Sequence, residues 1–404
     1  MLNDSDVVMK FKTLLASVLA LGGMLQAGET CDSFHMFYDG SLGIPGEAAP
    51  TYKQKIYNAT GTTFDVEIFG GYWGVSHLAP GYNSDNYVAL VFASVNQRLI
   101  KDEVNGGTWL NVAVAGSWGL DDDSDSKAFF YDCGFGTATG HHTDLCGPAG
   151  LYLMNATLKQ YFNNKRTCLN VGAIWMSMYF DRIGHARFAN DGFEKTPVAP
   201  MYYGTPGAVI QHEIDENSFV TAAVIATGVG LGENPLNFDN TNGYAVVAEY
   251  GRRFAEGKGT WRIMPFFCSM ETPNAIGRDE QHDSVGLMTG VEYDLNDWMK
   301  VYGRVSCASS EHQRARKELM VGTTMRLNSN RPQDYFGAGF GVYKGADTYE
   351  SPLVNEFEKV LEFTYRVQLN DYVSIAPFYQ LYIDPAYRSV STVSATGIQA
   401  HLAF

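Results

Sequence analysis

Charge is scarce in this chain: only 18% of its 404 residues are Asp, Glu, Lys or Arg. Long apolar runs are missing too. After residue 27 none reaches the roughly 18 residues that a membrane-spanning helix needs, so a bundle of such helices is excluded. No Pro/Ser-rich linker and no internal repeat divides the chain, although length alone would suggest two or three domains. Catalytic signatures are lacking, with no G-x-S-x-G elbow and no H-E-x-x-H. Gly337-Ala338-Gly339-Phe340-Gly341 is glycine-rich, but it opens no helix and lacks a G-K-[ST] ending, so it reads as wall glycines rather than a nucleotide loop. Carboxylate pairs abound, yet without a fixed separation they do not make a glycosidase. A net charge of −15 argues against nucleic acid as a partner.

Cysteine is also sparse. Cys133, His141, His142 and Cys146 are zinc-type residues, but C-x7-H-H-x3-C matches no common zinc spacing. In an exported protein two cysteines in one loop more often form a disulfide, so a Cys133–Cys146 bridge is expected, with no metal and no cofactor. Cys31, Cys168, Cys268 and Cys307 suggest no pairing. The acidic stretch Asp121, Asp122, Asp123 and Asp125 lacks the glycine and closing Glu of a calcium loop and reads as solvated.

What is present begins with an export signal. Met9-Lys10-Phe11-Lys12 is a basic n-region, Leu14 to Leu25 an apolar h-region and Gln26-Ala27-Gly28 a small-residue cleavage site. Residues 1–27 are therefore expected to be a signal peptide starting at Met9, because the acidic Met1 to Val8 would spoil the n-region. Residues 28–61 are left unassigned, as a periplasmic segment or a plug.

From residue 62 onward the chain alternates with a period of two. Phe357, Leu361, Phe363, Tyr365, Val367 and Leu369 fall on one face, and Glu358, Glu362, Thr364, Arg366 and Gln368 on the other, with Val360 the apolar exception. A turn at Asn370-Asp371 follows, then a second alternating run to Ile383 and a last strand that ends on Phe404. Pro377 counts mildly against a central strand. Similar segments are expected at about 62–74, 87–101, 108–118, 150–162, 166–176, 205–215, 217–228, 243–255, 260–270, 284–294, 298–308, 316–327, 335–343, 356–369, 372–383 and 392–404. Short connections alternate with long ones, as in outer-membrane barrels. Abundant aromatics and glycines (24 Tyr, 24 Phe, 42 Gly) suit the same architecture. The fold class expected is all-β: a transmembrane antiparallel barrel of about sixteen strands over residues 62–404.

Two pieces of sequence carry a resemblance. E-x-x-L-E-x-x-Y-x-x-Q (Glu358 to Gln368) followed by P-x-x-Q-x-x-x-x-P (Pro377 to Pro385) is similar to the closing hairpin of the carbohydrate-selective porin family, OprB. Leu169 to Phe193, a strand running into a loop with F-x-N-x-x-F (Phe188, Asn190, Phe193), resembles that family's constriction loop. The resemblance implies a bacterial outer-membrane channel for passive diffusion of small sugars, with an inward-folded loop over 177–204. Its implied partners are sugars, outer-membrane lipid and lipopolysaccharide, and the barrel-assembly machinery. It leaves a homo-oligomer open and implies no enzyme activity.

Charges on a lipid-facing wall are costly, so Arg98, Arg262, Arg304, Arg366 and Glu362 are expected in the lumen. Both signs occur there, which suits neutral hydroxyl-rich solutes better than ions. Guanidinium and carboxylate groups can pair with vicinal hydroxyls, and aromatics can stack on sugar faces. In the loop, Arg182 and Arg187 are the expected constriction residues, beside Glu194, with Trp175 and Phe188 as stacking partners. By strand parity Trp175 would instead face lipid. The readings in competition are lumenal ion pairs that only stabilise the wall, a general or anion-preferring porin, a barrel enzyme, a surface adhesin and a soluble carbohydrate-binding sandwich.

Overall fold

The computed structural model describes residues 51–76, 85–119, 139, 150–181, 193, 196–202, 204–227, 242–273, 279–309, 313, 315–346 and 353–403. One helix, α1 (Thr51–Thr60), precedes sixteen strands among these residues. The first eight are β1 (Thr62–Val75), β2 (Asp85–Ile100), β3 (Thr108–Gly119), β4 (Gly150–Phe162), β5 (Thr167–Ile174), β6 (Thr205–Glu213), β7 (Ser218–Thr227) and β8 (Gly243–Phe254). The remainder are β9 (Gly259–Pro273), β10 (Asp279–Asn296), β11 (Met299–Ala308), β12 (Ala315–Met325), β13 (Tyr335–Gly345), β14 (Phe357–Gln368), β15 (Val373–Ile383) and β16 (Thr392–Ala403). Each strand pairs antiparallel with its sequence neighbours, and β1 closes on β16 from Glu67↔Ala403 to Val75↔Ala395. Closure leaves no sheet edge with unpaired backbone groups, which is the condition for strands to cross a bilayer.

The barrel is inside-out relative to a water-soluble protein. Along β14, Glu358, Val360, Glu362, Thr364, Arg366 and Gln368 are buried, while Phe357 and Phe363 on the opposite face are exposed. The pattern repeats round the wall: Leu151 is 68% exposed and Val285 59%, whereas Glu249 and Glu362 are 0% exposed. An apolar outer belt over a polar interior fits hydrocarbon outside the wall.

The short turns are written locally. Asp102, Asp215, Asn296 and Asn370 each accept a backbone N–H two residues on, from Val104, Asn217, Trp298 and Tyr372. The Asn105 N–H holds the Asp102 carboxyl below the usual range, and the Asn217 N–H does the same for Asp215. Between β4 and β5, Asn163, Asn164 and Lys165 all take positive φ, a conformation that Asn tolerates.

Strand positions match the periodicity closely, with two informative departures. The β9–β10 hairpin, expected to open after residue 270, keeps pairing out to Pro273↔Asp279. Its last residues (Glu271, Thr272, Glu280, Gln281) are polar, so apolar alternation stops before the hydrogen bonding does. At Pro377, which has no N–H, the β14–β15 ladder skips from Thr364↔Phe378 to Val367↔Ile375 without losing register.

Within the segment left unassigned, Thr51–Thr60 is helical and caps on Gly61, whose φ of +71° favours glycine. The helix docks against inward-facing residues at the short-turn end. Lys53 Nζ lies 3.0 Å from Asp65, and the Tyr57 ring stacks on Trp109 at 6.4 Å. The Arg98 guanidinium sits 5.3 Å from the Tyr57 ring and 5.9 Å from that of Trp109.

Candidate functional site

The lumen is shaped by the connection between β5 and β6, which turns into the barrel. A bulge in β4 prepares its exit, where the β3–β4 register shifts and Met154 is left over between Leu153 and Asn155. β5 stops at Ile174 because the next donors bond inward. The Trp175 N–H goes to Asn155 Oδ1 (3.2 Å) and the Met176 N–H to the Tyr202 carbonyl (2.9 Å). On the return, Gly204 takes φ +59° and donates to the Met154 carbonyl at 3.0 Å. A Cβ there would stand 2.4 Å from the Leu153 oxygen, so glycine is required. Asn155 also donates to Asn111, which donates to Asn96, giving an amide ladder across three strands beneath the neck.

Apolar packing then fixes the loop inside. Met176, Met178, Tyr179, Phe180, Val198 and Ala199 are buried in one cluster with Val209, Ile225, Val247, Met264 and Phe266 of the inner wall. These wall positions would be polar if water faced them; they are apolar because the loop covers them. Across the lumen Phe193 is fully buried, its ring against Gly339 of β13 at a distance that leaves a Cβ only 3.0 Å. Gly337, Gly339 and Gly341 form the floor of that crossing on the inward face of β13.

A charged clasp completes the attachment. The Asp181 N–H donates to Glu249 Oε2 at 2.9 Å. Arg304 donates through Nη1 to both Asp181 oxygens (3.1 and 2.9 Å), and through Nε and Nη2 to Glu318 Oε1 (3.0 and 2.6 Å). Thr196 donates its backbone N–H to Asp181 and its hydroxyl to Glu318 Oε2 (2.7 Å). Both partners of each ion pair made by Arg304 are 0% exposed. A buried charge set of this kind is tolerated only when every member is paired and hydrogen-bonded.

Below the loop, on the short-turn side, a vestibule of about 670 Å³ opens. Tyr161, Tyr179, His212, Arg262, Glu292 and Lys300 contribute to its wall. Arg262 donates to Glu249 Oε1 at 3.0 Å, and its guanidinium carbon lies 5.0 Å from the Phe219 ring centre. Phe219 in turn lies across Gly251, where a Cβ would come within 2.1 Å of the ring. The result is a packed guanidinium–aromatic platform at the edge of an open cavity.

The structure thus divides the expected site residues. Arg262 borders the cavity. Arg304 is lumenal, and its side chain is buried in the clasp beneath the loop. Arg366 pairs with His401 Nδ1 (3.2 Å), whose Nε2 faces Glu67 (3.2 Å), and Glu362 accepts from Gln380 at 2.9 Å. Arg98 is engaged by α1. Trp175 lies inside, stacked 5.9 Å from Phe92; the parity that would turn it outward lapses where β5 ends. Arg182, Arg187, Phe188, Glu194, Cys133 and Cys146 lie outside the described residues. Among the described residues Cys168, Cys268 and Cys307 are unbridged, and no group of three or more His, Cys, Asp or Glu is placed to hold a metal. Thr196 and Phe219 carried no signal in the sequence. Glu249 and Glu318 are buried inward charges on β8 and β12, as the cost of a lipid-facing charge requires. In the β3–β4 connection, Thr139 donates its hydroxyl to Glu358 on the inward face of β14 at 2.9 Å.

A family model described as carbohydrate-selective porin, OprB family, matches residues 56–404. The chain belongs to that family. A curated relative, Porin AaxA of Chlamydia muridarum, is 23% identical over 261 residues, which is 61% of this chain and 54% of the relative. The chain therefore spans about half the length of that relative. Among solved structures, the high-pH form of Pseudomonas putida OprB superposes with a TM-score of 0.70 at 14% identity, covering 87% of this chain and 96% of that one. A mutant porin of Rhodopseudomonas blastica gives 0.54 at 9% identity over 85% of this chain and all of its own. At these identities the structures speak for the fold, a sixteen-stranded porin barrel. Family and barrel together place this OprB-family protein in the outer membrane and point to a channel rather than an enzyme.

Proposed function

We propose that the protein is a porin through which small neutral carbohydrates diffuse passively into the periplasm. The observation that carries this reading is the vestibule platform: Arg262 over the Phe219 ring and bonded to Glu249, beside a cavity of about 670 Å³. That volume lies within the usual range for small-molecule sites. Guanidinium and carboxylate offer paired donors and acceptors to vicinal hydroxyls, and a nearby aromatic face accepts the C–H side of a sugar ring. Lumenal cations and anions stand paired with one another (Arg304 with Asp181 and Glu318, Lys300 with Asp294). Such a lumen presents no one-signed ring to select ions. Arg182 and Arg187 belong to this proposal as further constriction residues.

The test is swelling of liposomes reconstituted with the purified barrel, using graded sugars and amino acids of matched size. Faster entry of sugars than of size-matched charged amino acids is expected. Entry ordered by size alone would replace this reading with a general porin, and preference for anionic solutes with an anion-preferring one.

A further inference from the structure

The outer wall carries one basic feature that the channel does not use. Lys317, Lys344 and Lys359 stand on three consecutive strands, β12, β13 and β14, on the face that carries Leu319, Phe340 and Phe357. They sit at the ends that lead into the long connections, the side that faces outward in outer-membrane barrels. Lys317 is directly opposite Lys344 in the β12–β13 ladder, and Lys359 is opposite Val342, two residues from Lys344. Two ammonium groups placed opposite each other on one face repel, so this pairing calls for an anion.

The protein supplies part of that anion itself. Lys344 Nζ lies 2.5 Å from Glu356, and Lys359 Nζ lies 2.8 Å from Asp384. Among the described residues, three cations against two carboxylates leave a positive surplus. The Lys344 ammonium also lies over the Phe357 ring, 5.8 Å from its centre, so charge and exposed apolar surface meet at this level of the wall. The patch therefore marks the upper border of the lipid-facing belt, where headgroups lie.

We propose that Lys317, Lys344 and Lys359 form a docking site for the phosphate of an outer-leaflet lipid headgroup. The inference rests on the outer-membrane orientation and is independent of what the lumen transports. A lipid-borne phosphate is favoured because exposed Leu319, one step further into the wall than Lys317 on the same face of β12, offers contact for its acyl chains, with exposed Phe357 beside Lys344. A phosphate monoester carries nearly two negative charges, more than the single carboxylate it would compete with.

The experiment titrates the detergent-solubilised full barrel with diphosphoryl lipid A, with fully dephosphorylated lipid A and with inorganic phosphate, reading bound adducts by native mass spectrometry. Wild type should prefer the diphosphoryl lipid over its dephosphorylated form. Each lysine near a charged headgroup is worth about fivefold, so K317A/K344A should weaken diphosphoryl binding by roughly 25-fold. The dephosphorylated lipid should bind that variant as it binds wild type. K317R/K344R should retain the preference. E356Q, which removes the internal competitor and leaves every lysine in place, should tighten binding and keeps the test open if the double alanine variant assembles poorly. Equal binding of the two lipids, no tightening in E356Q, or inorganic phosphate binding as strongly as the lipid would overturn the proposal. Sugar-driven swelling should be the same in wild type and K317R/K344R, so failure here and failure of the porin reading are told apart.

Discussion

Arg304 of β11 holds Asp181 of the constriction loop by both carboxylate oxygens, at 2.9 and 3.1 Å, while its other nitrogens hold Glu318. One side chain thus ties the loop to the wall. Removing it leaves two carboxylates buried without their cation, a loss of about 3–5 kcal/mol for a broken buried pair. Arg304→Ala is expected to lower the temperature at which the barrel loses its heat-modifiable gel migration, and to give larger, noisier single-channel conductance. Asp181→Ala should act in the same direction but less strongly, because Arg304 keeps Glu318. Wild-type conductance from assembled Arg304→Ala would show that the loop is held by its apolar contacts alone.

The second attachment is steric. Phe193 lies so close to Gly339 that an added methyl would force the ring back by a few tenths of an ångström. Gly339→Ala should cost about 1–3 kcal/mol through overpacking, and Gly339→Leu more. Phe193→Ala should cost about 3–5 kcal/mol by leaving a cavity. Combined with Gly339→Leu, it should cost less than the sum, since the new side chain occupies the vacated space. Denaturant midpoints of the four proteins check this, and strict additivity would remove the contact from the loop's support.

Most of the wall was legible because a barrel enforces strand period on every segment. Glu358, Glu362 and Arg366 could be sent inward, and Phe357 and Phe363 outward, from alternation alone. What alternation cannot carry is the interior partner. Val209, Val247, Met264 and Phe266 are apolar on the inward face because a loop lies on them, and period two does not reveal what covers a face. Trp175 shows the limit sharply, since its parity held only as long as β5 did. Charge alone sends Arg304 inward, yet its burial follows from Asp181, Glu318 and Thr196, distant in sequence and joined only by the fold. For α1 the difficulty was different: a single short helix leaves little periodicity to read, and its docking depends on Trp109 and Arg98.

Topology can be tested with single cysteines in a background cleared of native ones. A Ser391→Cys variant, in the longer β15–β16 connection, should react in intact cells with a membrane-impermeant maleimide. An Asp371→Cys variant, in the short β14–β15 turn, should react only after the outer membrane is opened. The reverse pattern would invert the barrel, and with it the placement of the lysine patch and of the vestibule.

The last prediction concerns Arg262. Its role as a solute contact and its role as a partner of Glu249 give different outcomes, because Glu249 also accepts from the Asp181 N–H and keeps that bond when Arg262 is lost. Arg262→Ala should therefore assemble to near wild-type levels, with some loss of stability from the uncompensated Glu249 charge. Sugar flux at low concentration should fall severalfold, while flux at high concentration changes little, as expected when a weak site that raises occupancy is removed. Arg262→Lys should restore the charge partner of Glu249 and hence stability. It should not restore the sugar effect, since an ammonium offers no planar pair of donors and stacks poorly on Phe219. Phe219→Leu separates the two functions further, reducing sugar flux with the Arg262–Glu249 pair retained. Liposome swelling over a tenfold range of sugar concentration reads all three variants. If Arg262→Ala and Arg262→Lys differ only in stability and share wild-type sugar flux, the platform is a wall element and the selective contacts lie elsewhere along the channel.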